Sequence, residues 1–237
     1  MADPIQLVSV VKAYKGLSHQ TAALNWLQEQ LRDRPELLTQ FAEMWRADPA
    51  PKPEASPSPG IVTNPLSGFP YFSQQDNGSE GWRECQTSSI SMCLKYLKVP
   101  GINDDTDYLA VVNRHGDTTS QAAHQAALAD LEVRARFRQN LKSGDVMAEI
   151  KAGLPVAIGL LHHGPVTAPS GGGHYIAVYG FDADGWIVND PYGELDLVNG
   201  GWANQTPGSG KAQHYSYRNT NPRFMPKGGD GWGWVFS

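Results

Sequence analysis

The chain has 237 residues and a formal net charge of −5. This acidic balance argues against a general nucleic-acid-binding surface, which needs a basic stripe. A hydrophobic content of 40% with 18% charged residues is typical of a globular protein and argues against a disordered one. The length suits one full domain with a small second one.

Residues 1–47 predict a small helical module. Apolar residues recur there at helical spacing in three groups, and Pro35 suits the first turn of the third helix. A module of this size is marginal alone. It either packs on the main domain or directs that domain to a target, and we favour targeting. The three groups are Ile5, Val8, Val11 and Tyr14; Ala23, Leu24, Leu27 and Leu31; and Leu37, Leu38, Phe41, Met44 and Trp45.

Residues 48–60 predict a semi-rigid spacer, because five of these thirteen residues are proline. A second domain then runs over residues 61–237. No signal peptide and no apolar run of membrane-spanning length is visible. The sequence therefore predicts a protein made in the cytoplasm without membrane insertion.

The sequence pattern of the second domain predicts helices first and an antiparallel sheet afterwards, which is an α+β order. A helix begins near Cys85, with an apolar stripe at Ile90, Cys93, Leu94 and Leu97. Further helices are expected over residues 104–114, 119–131 and 145–152. Strands are expected over residues 133–137, 155–161, 214–217 and 232–236, and a short strand runs into a loop over residues 70–77.

A predicted hairpin brings two chemically active side chains together. His174 precedes the apolar run 175–181, a turn follows at residues 182–185, and the return strand ends at Asn189-Asp190-Pro191. Antiparallel pairing places the start of one strand beside the end of the other. A histidine beside a carboxylate is the base and orienter of a nucleophilic triad. Asn189 stands at the same strand end and remains an alternative to Asp190.

Cys85 is the candidate nucleophile, because a helix N-terminus stabilises a thiolate. The backbone N–H groups of the polar turn 86–89 are open to an oxyanion there, and the side chain of Gln74 adds a further donor. Gln75 competes with Gln74 for that role. Cys93 lies two helical turns further on, too far for a disulfide with Cys85, and has the spacing of a core residue.

Four motifs, in this order, resemble those of papain-fold cysteine peptidases. The branch that they resemble is the bacteriocin-leader-peptidase-like one, which also occurs in phage lytic enzymes. The likeness spans about residues 66 to 237. Transporter-linked leader peptidases carry Cys-Gly at the nucleophile, whereas this chain has Cys85-Gln86, so the phage lytic branch fits better. The motifs are Tyr71-Phe72-Ser73-Gln74, Cys85-Gln86-Thr87-Ser88-Ser89, Gly173-His174-Tyr175 and Asn189-Asp190-Pro191-Tyr192.

The resemblance implies a papain-like α+β fold in which Cys85, His174 and Asp190 form the triad and Gln74 completes the oxyanion hole. It implies an endolysin that cleaves an amide or peptide bond of bacterial peptidoglycan after release from the cytoplasm. A monomer without a cofactor is expected, with residues 1–47 as a wall-targeting module. The alternatives are a general or leader-processing cysteine peptidase and a non-catalytic protein that binds the wall or a virion.

The sequence contains two weaker patterns. His162 and His163 are considered as zinc ligands with His174 and Asp190, but adjacent histidines seldom bind one ion and no His-x-x-x-His spacing exists. We therefore expect no metal. Five tryptophans are candidates for a cleft, with some expected in the core: Trp82, Trp186, Trp202, Trp232 and Trp234.

Overall fold

A computed structural model describes residues 31–32, 34–47 and 65–237. The chain divides into two compact units, residues 1–60 and 61–237. In the first unit, helix α1 spans Pro35–Ala47 and carries Glu36 in its first turn, where a negative charge favours the helix dipole. This is the third predicted helix, and Phe41 on it is buried. The first two predicted helices and the proline spacer lie outside the described residues.

The second unit begins with a helical layer, whose turns start where capping residues occur. The elements are two 3₁₀ helices, Gln74–Asp76 and Gly78–Arg83, then α2 Cys85–Tyr96, α3 Asp105–Val112 and α4 Gln121–Asp130. Asp104 caps α3, since its Oδ1 accepts hydrogen bonds from the N–H groups of Thr106 and Asp107, and Ser120 caps α4 by accepting from Ala123 N.

A six-stranded sheet follows, with every neighbouring pair antiparallel and the strand order β1-β8-β2-β3-β4-β7. Two short strands, β5 and β6, form a separate ribbon. The strands are β1 Ala135–Leu141, β2 Val156–Leu160, β3 His174–Phe181, β4 Gly185–Asn189, β5 Glu194–Leu195, β6 Trp202–Asn204, β7 Gln213–Ser216 and β8 Gly231–Phe236. Helix α5 spans Ser143–Lys151 and α6 spans Tyr217–Phe224.

The sheet is covered on both faces, so β3 at its centre is buried along its whole length. This explains why β3 reads as a continuous apolar run instead of alternating. Helix α2 packs on β3 in one cluster that includes Ile90, Ala177 and Trp234. Val146 of α5 and Phe224 of α6 belong to the other cluster, with Ile158 and Ile176. The predicted α+β fold, with a cysteine-bearing helix on an antiparallel sheet, is confirmed.

Several features of the second unit differ from the sequence prediction, among them the β5–β6 ribbon. Residues 70–73 form no strand but an extended segment that leads into the first 3₁₀ helix. Pro70 has no N–H for a sheet ladder. Helix α6 was not predicted, because Pro222 and several polar residues obscure its pattern. In the described part of the chain, no helix combines the length and apolar character needed to cross a bilayer.

Candidate active site

Cys85 is the first residue of α2 and lies half-buried at the helix N-terminus. It has a free thiol, as does Cys93, which is fully buried on the same helix. Glu84 N donates to Gly81 O at 3.2 Å, which closes the turn before the helix. The first N–H groups of a helix lack intrahelical partners, so the backbone beside the Cys85 thiol presents free donors.

The hairpin of β3 and β4 brings His174 and Asp190 into direct contact. His174 opens β3 and pairs with Leu160 of β2, while Asp190 follows the last residue of β4. His174 Nε2 lies 2.8 Å from Asp190 Oδ1. Only 4% of the histidine side chain and none of the aspartate side chain is exposed, so water does not compete for this hydrogen bond.

The Cys85 side chain lies near enough to the His174 ring to influence its pKa. Nε2 of the ring is bound to Asp190, so Nδ1 is the nitrogen left for the thiol. Burial alone would lower the pKa of His174, but the charge and hydrogen bond of Asp190, followed by those of Cys85, outweigh it and raise the pKa to about 10. The ring therefore carries a proton at neutral pH, and an imidazolium stabilises a neighbouring thiolate.

Asp190 accepts further hydrogen bonds that the sequence did not predict. Its Oδ1 also accepts from Tyr192 N at 3.0 Å, and its Oδ2 accepts from the hydroxyl of Tyr215 at 3.0 Å. The Tyr215 oxygen in turn accepts from Leu195 N at 2.9 Å. Tyr215 lies on β7, beside β4, and the only sequence hint was its place in an aromatic strand.

The two residues that competed for these roles are engaged elsewhere. Asn189 donates from Nδ2 to Pro70 O at 2.7 Å and accepts at Oδ1 from Ala212 N at 2.8 Å, so it ties loops to the sheet. Gln75 donates from Nε2 to Tyr192 O at 2.5 Å. The structure therefore places Asp190, and not Asn189, against His174.

Gln74 lies in the first 3₁₀ helix with 1% of its surface exposed. Its Nε2 donates to Gly81 O at 2.6 Å, and its backbone N–H donates to Pro191 O at 3.0 Å. A Cβ at position 81 would collide with the Gln74 carbonyl oxygen, so Gly81 is required for this close approach. The side-chain NH₂ of glutamine has two hydrogens, and the Gly81 bond uses one of them.

Aromatic rings border His174 on the side of the β5–β6 ribbon. The Trp202 ring meets the His174 ring edge-on at 4.7 Å between centroids, and Tyr192 meets Trp202 at 4.8 Å. Of the other tryptophans proposed for a cleft, Trp186 and Trp234 are core residues, whereas Trp82 is 65% exposed and Trp232 packs against Gly159 and Gly173. Of these five tryptophans, all within the described residues, Trp202 is the one whose ring contacts the His174 ring.

The two other histidines near this site do not belong to a metal-binding group. His162 lies 6.0 Å from His174 between ring centroids, and His163 lies 4.0 Å from His162. Within residues 31–32, 34–47 and 65–237, no group of three or more His, Cys, Asp or Glu side chains is arranged to hold an ion.

The chain is similar to known proteins in both its sequence and its fold. The model of the family described as "Peptidase_C39 like family" matches residues 66–220, more than half of the chain. A matching solved structure is described as that of a "putative C39-like peptidase" from Bacillus anthracis; it is 15% identical, with a TM-score of 0.43, and the match covers 73% of this chain and 96% of that chain. No curated protein matches the sequence.

Proposed function

This chain belongs to the Peptidase_C39-like family of cysteine peptidases, and from that premise we propose that it cleaves an amide or peptide bond of bacterial peptidoglycan. Cys85 is the nucleophile, His174 the general base and acid, Asp190 the orienting group and Gln74 an oxyanion donor. The observation that carries the proposal is the buried 2.8 Å contact between His174 and Asp190, with Cys85 at the start of α2 helping to raise the pKa of the same ring.

The reaction follows from the protonation of His174. The Cys85 thiolate attacks the carbonyl carbon, and the backbone N–H of Cys85 and the second N–H of Gln74 stabilise the oxyanion. His174 gives its proton to the departing amine, which leaves an acyl thioester on Cys85. His174 then takes a proton from water, the hydroxide attacks the thioester, and the acid product departs.

The wall as substrate rests on the motifs. Cys85-Gln86 in place of Cys-Gly favours the phage lytic branch over leader peptidases. In that setting the protein acts as a monomer on the wall after it leaves the cytoplasm, and residues 1–47 assist in targeting.

The test is digestion of purified peptidoglycan, followed by mass spectrometry of the released fragments. Wild type is expected to release fragments in the presence of a chelator and to stop when iodoacetamide blocks Cys85. Cys85→Ala is expected to abolish release while the thermal unfolding curve stays unchanged, since this thiolate is the proposed nucleophile.

Cys93→Ala is the matched control. It removes a buried sulfur and is expected to cost roughly 1 kcal/mol of stability while turnover persists. Release of fragments by Cys85→Ala at the wild-type rate would contradict the triad. Binding of the wall without release of fragments by wild type would favour a non-catalytic wall-binding protein instead.

A further inference from the structure

A buried carboxyl group lies directly before the nucleophile, and the proposed reaction does not use it. Glu84 is the residue between the second 3₁₀ helix and α2, and 4% of its surface is exposed. Its Oε2 atom is shielded from water and has no hydrogen-bond partner among the described residues. A buried carboxylate oxygen without a donor is strongly disfavoured when the group is ionised.

The side chain of Asn77 lies beside Glu84 and has a buried atom in the same situation. Asn77 joins the two 3₁₀ helices, and its side chain lies near enough to influence the pKa of Glu84. Its Oδ1 atom is shielded from water and lacks a donor within the described part of the chain. An amide oxygen and a carboxylate oxygen are both acceptors. These two atoms can satisfy each other only if a proton lies between them, and the carboxyl is the group that binds one.

A second buried carboxyl, that of Asp105, has the donors that Glu84 lacks. Asp105 is the first residue of α3 and is 4% exposed. Its Oδ2 accepts from Asn77 Nδ2 at 3.1 Å and from the hydroxyl of Ser88 on α2. A buried carboxylate is tolerated when its oxygens are hydrogen-bonded. Asp105 is therefore suited to be the ion of the pair, and Glu84 to be the neutral member.

The surroundings of Glu84 favour its neutral form. Burial raises the pKa of Glu84 above its ordinary value of 4.5; the Asn77 side chain opposes this rise, the carboxylate of Asp105 adds to it, and the net shift is upward. Arg83, the cation that acts on Glu84, is itself bound to Asp117 at 2.7 and 2.8 Å. The charged groups that act on Glu84 or Asp105 are Asp76, Glu80, Arg83 and, for Glu84, the Asp105 carboxylate, with Cys85 next in the chain.

We propose that Glu84 is a neutral carboxylic acid at neutral pH and that its O–H donates to Oδ1 of Asn77. One proton then gives a partner to both otherwise unpaired atoms. The hydrogen bonds run from Glu84 through Asn77 to Asp105, so they tie the segment between Gln74 and Cys85 to α3. Because the acid is uncharged, it places no negative charge beside the Cys85 thiolate, which keeps its stabilisation by the positive end of α2.

Glu84 is thus a positioning residue for the nucleophile and the oxyanion donor. This role rests on Cys85 as the proposed nucleophile, whereas the proton on Glu84 does not. The proton is measured first, by NMR titration of the Glu84 side-chain ¹³C carboxyl signal in the wild-type chain. The signal should titrate above pH 4.5 and should still report the protonated form at neutral pH. A midpoint at or below 4.5 would overturn the proposal, and the measurement needs no turnover.

Substitutions at neutral pH test the hydrogen bond to Asn77. Glu84→Gln keeps a neutral side chain with an N–H donor in place of the O–H, so its urea midpoint should match that of wild type. Glu84→Ala removes the donor and should lower the midpoint by roughly 0.5 M, as for loss of one buried hydrogen bond. Asp105→Asn should lower the midpoint as well, because it replaces a carboxylate that accepts from two donors.

Glu80→Gln is the matched control, since it removes a carboxylate of the same segment whose side chain is 61% exposed. Its midpoint should stay at the wild-type value. A midpoint in Glu84→Gln as low as that in Glu84→Ala would contradict the neutral acid, because an ionised Glu84 accepts hydrogen bonds that glutamine cannot replace in full. An unchanged midpoint in Glu84→Ala would remove the tie between this segment and α3.

The rate of Cys85 alkylation by iodoacetamide, followed against pH, tests the consequence for the nucleophile. Glu84→Gln exchanges one neutral group for another, so the profile should coincide with that of wild type. Faster alkylation of Glu84→Gln at acidic pH would overturn the proposal, since it would show that a negative charge beside the thiol had been removed. If these results hold but wild type releases nothing from peptidoglycan, the proposed wall substrate fails and the proton on Glu84 stands.

Discussion

The Asp190 carboxylate accepts hydrogen bonds from other groups as well as from His174. A fully buried carboxylate is costly unless its oxygens are hydrogen-bonded, and here both are: Oδ1 accepts from His174 and Tyr192, and Oδ2 accepts from Tyr215. The carboxylate is thus held in one orientation, and so is the imidazole bound to it. This arrangement gives Tyr215 a role in positioning the base, which it reaches through Asp190.

Replacing Tyr215 by Phe tests this positioning role. The change removes the donor to Asp190 Oδ2 and leaves Leu195 N without its acceptor, so we expect kcat to fall roughly ten-fold with little change in KM, and stability to fall by roughly 1–3 kcal/mol. Tyr217→Phe is the control, because its hydroxyl donates to Asp182 O, away from the triad. Equal kcat values in the two variants would contradict the role of Tyr215.

The proton on His174 gives a second prediction at this scale. Folding raises its pKa from 6.5 to about 10, so the folded state holds the proton more tightly than the unfolded state. This tighter proton binding stabilises the folded state in full below about pH 6.5, and the stabilisation is lost as the pH rises through about 10. NMR titration of the ring should show Asp190→Asn lowering the pKa more than Cys85→Ala, because the effects of Asp190 are the larger ones.

The same pair predicts the reactivity of the thiol. Iodoacetamide should alkylate Cys85 faster in wild type than in His174→Ala, since an imidazolium stabilises a neighbouring thiolate. Equal alkylation rates in the two proteins would contradict the ion pair.

Some residues of the site were predictable and others were not. Cys85, His174 and Gln74 stand in motifs with a local structural signal, namely a helix start, a strand start and a loop. The choice between Asn189 and Asp190 was not predictable from the sequence. The alternation of side chains fails at a strand end, and β3 and β4 change register between Val178 and Gly180. Tyr215 was out of reach, since nothing local indicates that β7 pairs with β4.

At the level of elements, the loops at the site depend on α6, the helix that the sequence did not predict. Arg223 on α6 is fully buried, and its guanidinium donates to four backbone oxygens from two loops. They are Leu197 O at 2.9 Å, Leu161 O at 2.8 Å, His163 O at 3.2 Å and Gly164 O at 2.7 Å. A planar guanidinium is suited to several acceptors at fixed angles.

Arg223→Lys is expected to destabilise the protein by roughly 3 kcal/mol, because an ammonium reaches fewer of these carbonyls and leaves others buried without donors. Turnover should fall as well, since the loop with His162 loosens. Urea unfolding measures the first effect. Arg114→Ala is the control: its side chain is 63% exposed and lies 3.5 Å from Asp130, so a loss below about 1 kcal/mol is expected. Similar losses in both variants would contradict the anchoring role.

Across the whole molecule, apolar periodicity was sufficient for the sheet and for α2 to α5, because those elements bury one clear stripe or run. It was not sufficient for the order of the strands. Strand β8, at the C-terminal end of the chain, lies between β1 and β2, a long-range pairing that no local pattern specifies. The irregular segment at residues 70–73 is likewise held by distant partners, such as Pro191 O, the acceptor for Ser73 Oγ and Gln74 N.

The division into residues 1–60 and 61–237 leads to the last prediction. The two hydrophobic core clusters formed by the described residues both lie between Leu66 and Phe236, so a chain of residues 61–237 should fold alone and unfold in one cooperative transition. If residues 1–47 target the wall, this truncated chain should digest intact peptidoglycan more slowly but cleave small soluble fragments at the full-length rate, because only the former benefits from a second binding module. Loss of activity on both substrates would place the helical module within the catalytic fold, and equal activity on both would remove its targeting role.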